Sequence, residues 1–272
     1  MARRATPTTS WWPFPPRTRE VQLDEKWSFV AKKQANCDPT DPADDHKGDW
    51  WDHVAYDAEH RLVLAVVPGA RSIENAEEAV REVHDRTAGR TDVLFTSDEY
   101  PAYETAIEHV YGVPEAPRPP GTPGRHPVVP KRRPAPDLKY ATVHKEREKG
   151  RVVAIVTAVV LGTWQAVAGA LQQSRVSRAI NTSFVERHHG TDRHHNARKA
   201  RRTYRFSKDW RVHEAMTYFT AYSYNFCWPV RTLRERGEDG AWRRRTPAMA
   251  AGLADHVWSL AEWLTFPTIQ QL

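Results

Sequence analysis

The chain has 272 residues, 40% of them apolar and 27% charged, with a formal net charge of +6, which allows one large domain or two small ones around a real core. Its two cysteines, Cys37 and Cys227, are far apart and lack a CxxC partner, which excludes a disulfide framework and a zinc knuckle. The longest apolar run, Val152 to Gly162, is too short to span a bilayer, and the N-terminal "MARRATPTTSWWPFPP" has no apolar signal core, so a cytoplasmic location is expected.

Residues 1 to 20 read as a disordered tail. "VQLDEKWSFVAKK" alternates, with Leu23, Glu25, Trp27 and Phe29 on one side and Gln22, Asp24, Lys26 and Ser28 on the other, the pattern of a strand. "DPTDPADDHKGD" is a turn-rich loop. "WWDHVAYD" and "LVLAVVPG", joined by a turn at "AEHR", read as a hairpin. Ser72 caps a helix predicted to run to about Ala88, with Ile73, Ala76, Val80 and Val83 on one face and Gly89 ending it. "DVLFTSD" has strand length and stops at Asp98; a helix follows with Pro101 in its first turn. Residues 113 to 136 hold too many prolines for regular structure and are expected to form a loop outside the sheet. "YATVHK" and "RVVAIVTAVVLG" then read as a second hairpin, turning at "EREKG".

The last third reads as helical. One helix carries Glu186, and another carries Val212, Met216, Phe219 and Phe226 at helical spacing. A third starts at a Thr246-Pro247 cap, with Leu253, Val257, Leu260 and Leu264 on one stripe. Three strands, helix, strand, helix, further strands and then helices is the order of a ribonuclease H-like α/β fold, a mixed sheet flanked by helices. The charge is concentrated. Residues 186 to 211 hold nine Lys/Arg and three Asp/Glu, a local +6 that leaves the rest balanced and suits a polyanion-binding face, the plainer reading being a solvated helix surface.

Three acids stand at informative places: Asp24 in mid-strand, Asp98 at a strand end and Glu186 near a helix start. Acids in such places are costly unless paired or bound to a cation, and three that converge suit Mg²⁺ or Mn²⁺. Plainer roles compete: Asp24 paired to Lys26 or Lys32, Asp98 as a helix cap, Glu186 as an ordinary helix acid. Glu25, Glu99, Asp52 and Asp57 are rivals, and spacing does not separate Asp24 from Glu25.

The strings "LDEKWSFVAKK", "TSDEYPAYETAI" and "NTSFVERHHGTDRHHNARKARRTYRFSK" resemble DDE transposases of bacterial insertion sequences, in particular the family named for the first such element. The motifs there are D-E-x-W-S-F/Y-V, T-D/S-D-x-x-P-x-Y and V/I-E-R-x-N-x-x-x-R with a K/R-T…F-S-K tail. The resemblance covers roughly residues 21 to 270. It implies a ribonuclease H-like catalytic domain over residues 21 to 205, a helical C-terminal extension over 206 to 272, and Asp24, Asp98 and Glu186 as both catalytic and metal-binding residues. It further implies Mg²⁺ or Mn²⁺, metal-dependent DNA cleavage and strand transfer, double-stranded DNA as partner and a homo-oligomer on it. Arg187, Arg193, Arg198, Lys199, Arg201 and Arg202 are the expected phosphate contacts.

The chain departs from the pattern at His189, where relatives have Asn, and at Gly190, where they have an aliphatic. No N-terminal helix-turn-helix or zinc ribbon precedes Asp24, so a truncated or decayed copy is expected. Alternatives are a catalytically decayed DNA-binding remnant and a ribonuclease H-like nuclease that does not transpose. His188, His189, His194 and His195 have no second cluster of Cys or HExxH spacing to make a zinc site; they are expected to line a DNA channel.

Overall fold

The computed structural model describes residues 17–115 and 132–266. Strand β1 (Glu20–Val30) pairs antiparallel with β2 (Gly48–Asp57), which pairs antiparallel with β3 (Leu62–Gly69). Helix α1 (Ile73–Arg86) then leads to β4 (Leu94–Ser97), parallel to β1, and α2 (Pro101–Tyr111) follows. The residue pairs β5 (Val113–Pro114) and β6 (Arg132–Arg133) make a small ribbon apart from the main sheet. The rest of the segment expected to be a proline-rich loop, residues 116 to 131, lies outside the described residues. Strand β7 (Lys139–Glu148) adds parallel to β4, and β8 (Arg151–Leu161) returns antiparallel. The sheet order is β3-β2-β1-β4-β7-β8. This is the mixed, ribonuclease H-like α/β sheet that the order of elements predicts.

Period-2 side-chain direction divides the sheet into two faces. On one, Val21, Leu23, Ala55 and Leu64 pack with Ala76, Val80 and Val83 of α1 and Ala106 and Ile107 of α2. On the other lie α3 (Trp164–Gln173), α4 (Ser183–His195) and α5 (Trp210–Cys227). Val54, Tyr56, Val63 and Val66 meet Val185 of α4 and Ala221, Tyr222 and Tyr224 of α5 there. Leu94, Ala141 and Val143 meet Val167 of α3. The edge at β3 is closed by α5: the Asn225 amide accepts from the Val63 N–H (3.0 Å) and donates to the Val63 carbonyl (2.9 Å). One side chain thus continues the ladder where an open edge would invite pairing.

Ser72 accepts from the Asn75 N–H and caps α1 as its sequence predicts. Several boundaries differ from the sequence reading. Thr18 and Glu20 are buried, Thr18 donating to Asp57 (2.6 Å), so the folded chain reaches into the expected tail; residues 1–16 lie outside the described residues. The second hairpin turns at Lys149 and Gly150 alone, both at positive φ, and "EREKG" is mostly strand. Helix α3 was not foreseen, and neither was a ribbon of β9 (Glu235–Arg236) and β10 (Trp242–Arg243). The final helix is two short ones, α6 (Pro247–Ala250) and α7 (Leu260–Thr265). Gly252 at φ 76° and the Leu253 N–H on the Ala248 carbonyl stop the first, so Val257, Leu260 and Leu264 are exposed and form no buried stripe. Helix α5, within the expected C-terminal extension, supplies core residues to this face of the sheet.

Candidate active site

The polar side of β1 is buried except at Asp24, which is half-buried, and each of its residues meets a partner on the helical layer. Glu20 accepts from Ser177 (2.6 Å). Gln22 Oε1 accepts from the N–H groups of Phe184 (3.0 Å) and Val185 (3.1 Å), two of the four donors that a helix start leaves open. Asp24 Oδ2 lies 3.1 Å from His189 Nε2. Lys26 pairs with Asp192 and, at 3.0 Å, with Asp52. Ser28 lies 3.1 Å from His213 Nε2. Residues two apart on a strand advance about 6.6 Å and residues three to four apart on a helix about 5 Å, which is how 22, 24 and 26 keep step with 185, 189 and 192. Thr182, at the N-cap of α4, makes no capping bond with its side chain. Gln22 does that work, and it fixes the first turn of α4, where Glu186 sits.

Asp98 follows the last residue of β4, and its Oδ1 accepts from the Tyr100 N–H (3.1 Å) at the start of α2. Glu186 Oε1 accepts from Thr182 Oγ1 (2.6 Å) and from Lys145 Nζ of β7. Asp24, Asp98 and Glu186 thus come from three elements and line one cleft of 460 Å³, together with Arg71, His144 and Lys145. Burial and then the charge of Asp24 raise the Asp98 pKa; the Tyr100 N–H and Arg71 oppose this, and Glu186 adds to it. Asp98 therefore feels both other carboxylates.

Of the rival acids, Glu99 lines the same cleft, and each of the four is held by other partners. Glu25 points to the opposite face, 3.0 Å from Arg71 and beside Tyr103. Burial and the charge of Asp98 push its pKa up to about 7, against the pull of Tyr103 and Arg71. Glu99 pairs with His144 (2.6 Å). Asp57 accepts from the N–H groups of Glu59 and His60 in the β2–β3 turn. Asp52 is fully buried in an ion network described below.

Three carboxylates around one cleft are an all-oxygen donor set, the type that Mg²⁺ and Mn²⁺ take. As they stand, two of the three face protein groups, Glu186 facing Lys145 and Asp24 facing His189, and among the described residues no group of three or more His, Cys, Asp or Glu is assembled to hold a metal ion. The donor chemistry fits; the cation now beside Glu186 is the Lys145 ammonium. Lys145, Arg71 and Gln22 were missed in the sequence. For Lys145 a signal existed: it lies two residues past the buried Val143, hence on the same face of a strand next to that of Asp98.

The basic run divides. Arg193, Arg198, Arg201 and Arg202 line a cleft of 910 Å³ beside β1, whereas Arg187 lines another of 990 Å³ with Arg61, Arg231 and Arg234. Lys199, expected among the phosphate contacts, turns its ammonium inward. It is 4% exposed, with Nζ 2.5 Å from Asp52 Oδ2, and burial pulls its pKa down to about 8. The histidines do not form one channel lining either. His188 is buried between Tyr56 (4.7 Å, stacked) and Tyr224 (4.8 Å), and burial takes its pKa down to about 3, so it brings no positive charge near neutral pH. His195 packs on Trp228 at 4.2 Å.

No protein-family model and no curated protein matches this chain. Two solved structures match a part of it. One is a crystal structure of the Mos1 strand transfer complex, 20% identical over 34% of this chain and 31% of that one, with a TM-score of 0.23. The other is the Mos1 transposase paired-end complex with the left transposon end, 19% identical over 34% and 33%, with the same TM-score. The chain spans about a third of the length of each. Among the described residues, no helix is long and apolar enough to cross a membrane.

Proposed function

We propose that this chain is the catalytic domain of a DDE transposase of the insertion-sequence type, acting in the cytoplasm as a homo-oligomer on double-stranded DNA. Asp24, Asp98 and Glu186 are its catalytic acids and would hold Mg²⁺ or Mn²⁺. The observation that carries the reading is the convergence of these three carboxylates, from β1, the end of β4 and α4, on one cleft, with the proton affinity of Asp98 raised by both of the others.

Divalent cations bound there would supply the charge that in-line phosphoryl transfer needs on its attacking and leaving oxygens. The protein's own groups do the rest. Gln22 fixes the start of α4 and with it Glu186, while the Tyr100 N–H orients Asp98. Arg71 and Lys145 line the same cleft and offer positive charge to the phosphates beside a scissile bond, with His144 beside them as a further hydrogen-bonding group. Lys145 leaves Glu186 for the DNA when the acid takes up its catalytic role. Hydrolysis at an element end breaks a P–O3′ bond and releases a 3′-hydroxyl, which then attacks a target phosphate in the same cleft and expels the target strand's own 3′ oxygen. No side-chain nucleophile takes part.

The test is nicking of supercoiled plasmid in Mn²⁺ by the purified chain. Metal-dependent nicking, lost in Glu186→Gln while duplex binding is kept, is the expected result. Nicking that persists in Glu186→Gln and Asp98→Asn would sink the assignment. A joined product, as against nicks alone, separates a transposase from a nuclease that does not transpose.

A further inference from the structure

We infer that the cleft beside the C-terminal half of β1 binds an unpaired DNA strand, with bases stacked on Trp27 and Tyr204 and phosphates held by Arg198, Arg201 and Arg202. The inference rests on the proposed function for the identity of the polymer, and on the cleft itself for its strandedness.

β1 outruns its neighbour. β4 pairs with it only through Glu20 to Leu23, and the next main-chain contact on that edge is at Val30 and Ala31, where Ser207 bridges back. Between these points the edge borders a cleft of 910 Å³. Its lining is basic and aromatic, and among the described residues no acidic side chain contributes to it. Trp27, Phe29 and Phe206 form a ladder, with ring centroids 5.8 and 4.8 Å apart, and Lys208 Nζ covers the far ring at 3.0 Å from its centroid. The near end is open. Trp27 is 38% exposed and Tyr204 97%, so the tyrosine has no packing role within the chain.

Aromatic faces open to solvent in a basic groove are what a single strand uses, since every unpaired base offers a π-face and every nucleotide a phosphate. A duplex keeps its base faces inside its own stack and would leave Trp27 and Tyr204 idle. The position fits the same substrate. Trp27 is three residues from Asp24, about 10 Å along an extended strand. Trp27 points to the face of β1 opposite Asp24, so a strand with one phosphate at the acids reaches the aromatic ladder by crossing the edge of β1 that β4 leaves unpaired after Leu23.

The experiment is fluorescence anisotropy with labelled oligo(dT) and a blunt duplex of equal length, in EDTA, so that no cleavage is read. Tyr204→Ala and Trp27→Leu should each weaken oligo(dT) binding by roughly five- to a hundredfold, leaving duplex affinity and both salt slopes unchanged. Tyr204 is too exposed for its loss to unfold the chain, which keeps the test valid should the Trp27 variant fold poorly. Equal loss on both ligands, or no loss on oligo(dT) in Tyr204→Ala, overturns the inference. Because metal and catalysis are absent, a failed plasmid assay leaves this result standing, and the reverse also holds.

Discussion

Asp52 Oδ2 and Lys199 Nζ lie 2.5 Å apart, each side chain about 1% exposed, at the centre of a buried network that also holds Lys26 and Asp192. Two cations and two anions cancel, and between them they tie β1, β2, α4 and the segment after α4 together; Lys199 also donates to Thr217 of α5. Removing one member leaves a charge buried without compensation, at a cost of about 3–5 kcal/mol.

Lys199→Ala should therefore lower stability by about that amount in urea unfolding and leave the salt dependence of DNA binding unchanged. Replacing exposed Arg201 and Arg202 together should do the opposite. Stability stays within about 0.5 kcal/mol, while the slope of log affinity against log salt flattens by roughly two units. A flattened slope in Lys199→Ala, or none in the arginine variant, would move the DNA path elsewhere.

Lys145 and any bound metal compete for Glu186, since the ammonium already donates to Glu186 Oε1. Lys145→Ala should tighten Mn²⁺ binding severalfold in calorimetry without DNA, and Glu186→Gln should weaken it. Unchanged Mn²⁺ affinity in Lys145→Ala would mean that the ammonium does not guard the site.

What could be read in the chain and what could not divides along sequence distance. The two faces of β1 were legible because period 2 is local: Leu23 and Glu25 against Gln22, Asp24 and Lys26. Asp98 and Glu186 could be set at the ends of their elements for the same reason. Lys199 could not be told from its basic neighbours, because what buries it is Asp52, 147 residues away. Nor could Gln22 be seen as the cap of α4 across 162 residues. The stripe from Leu253 to Leu264 failed differently. Its spacing was helical, but Gly252 turns the backbone to positive φ, and Ser259 with Glu262 starts a new helix by a capping box.

His188 gives a pH dependence of fixed sign. Its pKa is about 3 in the folded chain against 6.5 when free, so the unfolded chain binds the proton first and stability is lost as pH falls below about 6.5. At pH 5 the loss from this one group is about 2 kcal/mol. His213, pulled down to about 4 by burial, adds in the same direction. His188→Phe keeps the stack with Tyr56 and Tyr224 and should flatten the fall in melting temperature between pH 7 and 5. An unchanged fall would place the acid sensitivity in other groups.

Glu25 acts with the opposite sign, and it also decides which neighbour is the first catalytic acid. Its pKa stands at about 7 against 4.5 when free. Between those values the folded chain holds a proton that the unfolded chain has released, so stability declines as pH rises from about 4.5 to 7. The cost reaches up to about 3 kcal/mol at neutral pH. Glu25→Gln removes the titration and should flatten the unfolding free energy over that range. Its effect on chemistry should be slight, because Glu25 lies on the face of β1 away from Glu186 and His189. Asp24→Asn should abolish both Mn²⁺ binding and plasmid nicking, whereas Glu25→Gln should keep both. If Glu25→Gln is the variant that loses nicking while Asp24→Asn retains it, the catalytic acid of β1 is Glu25, and Asp24 is only the partner of His189.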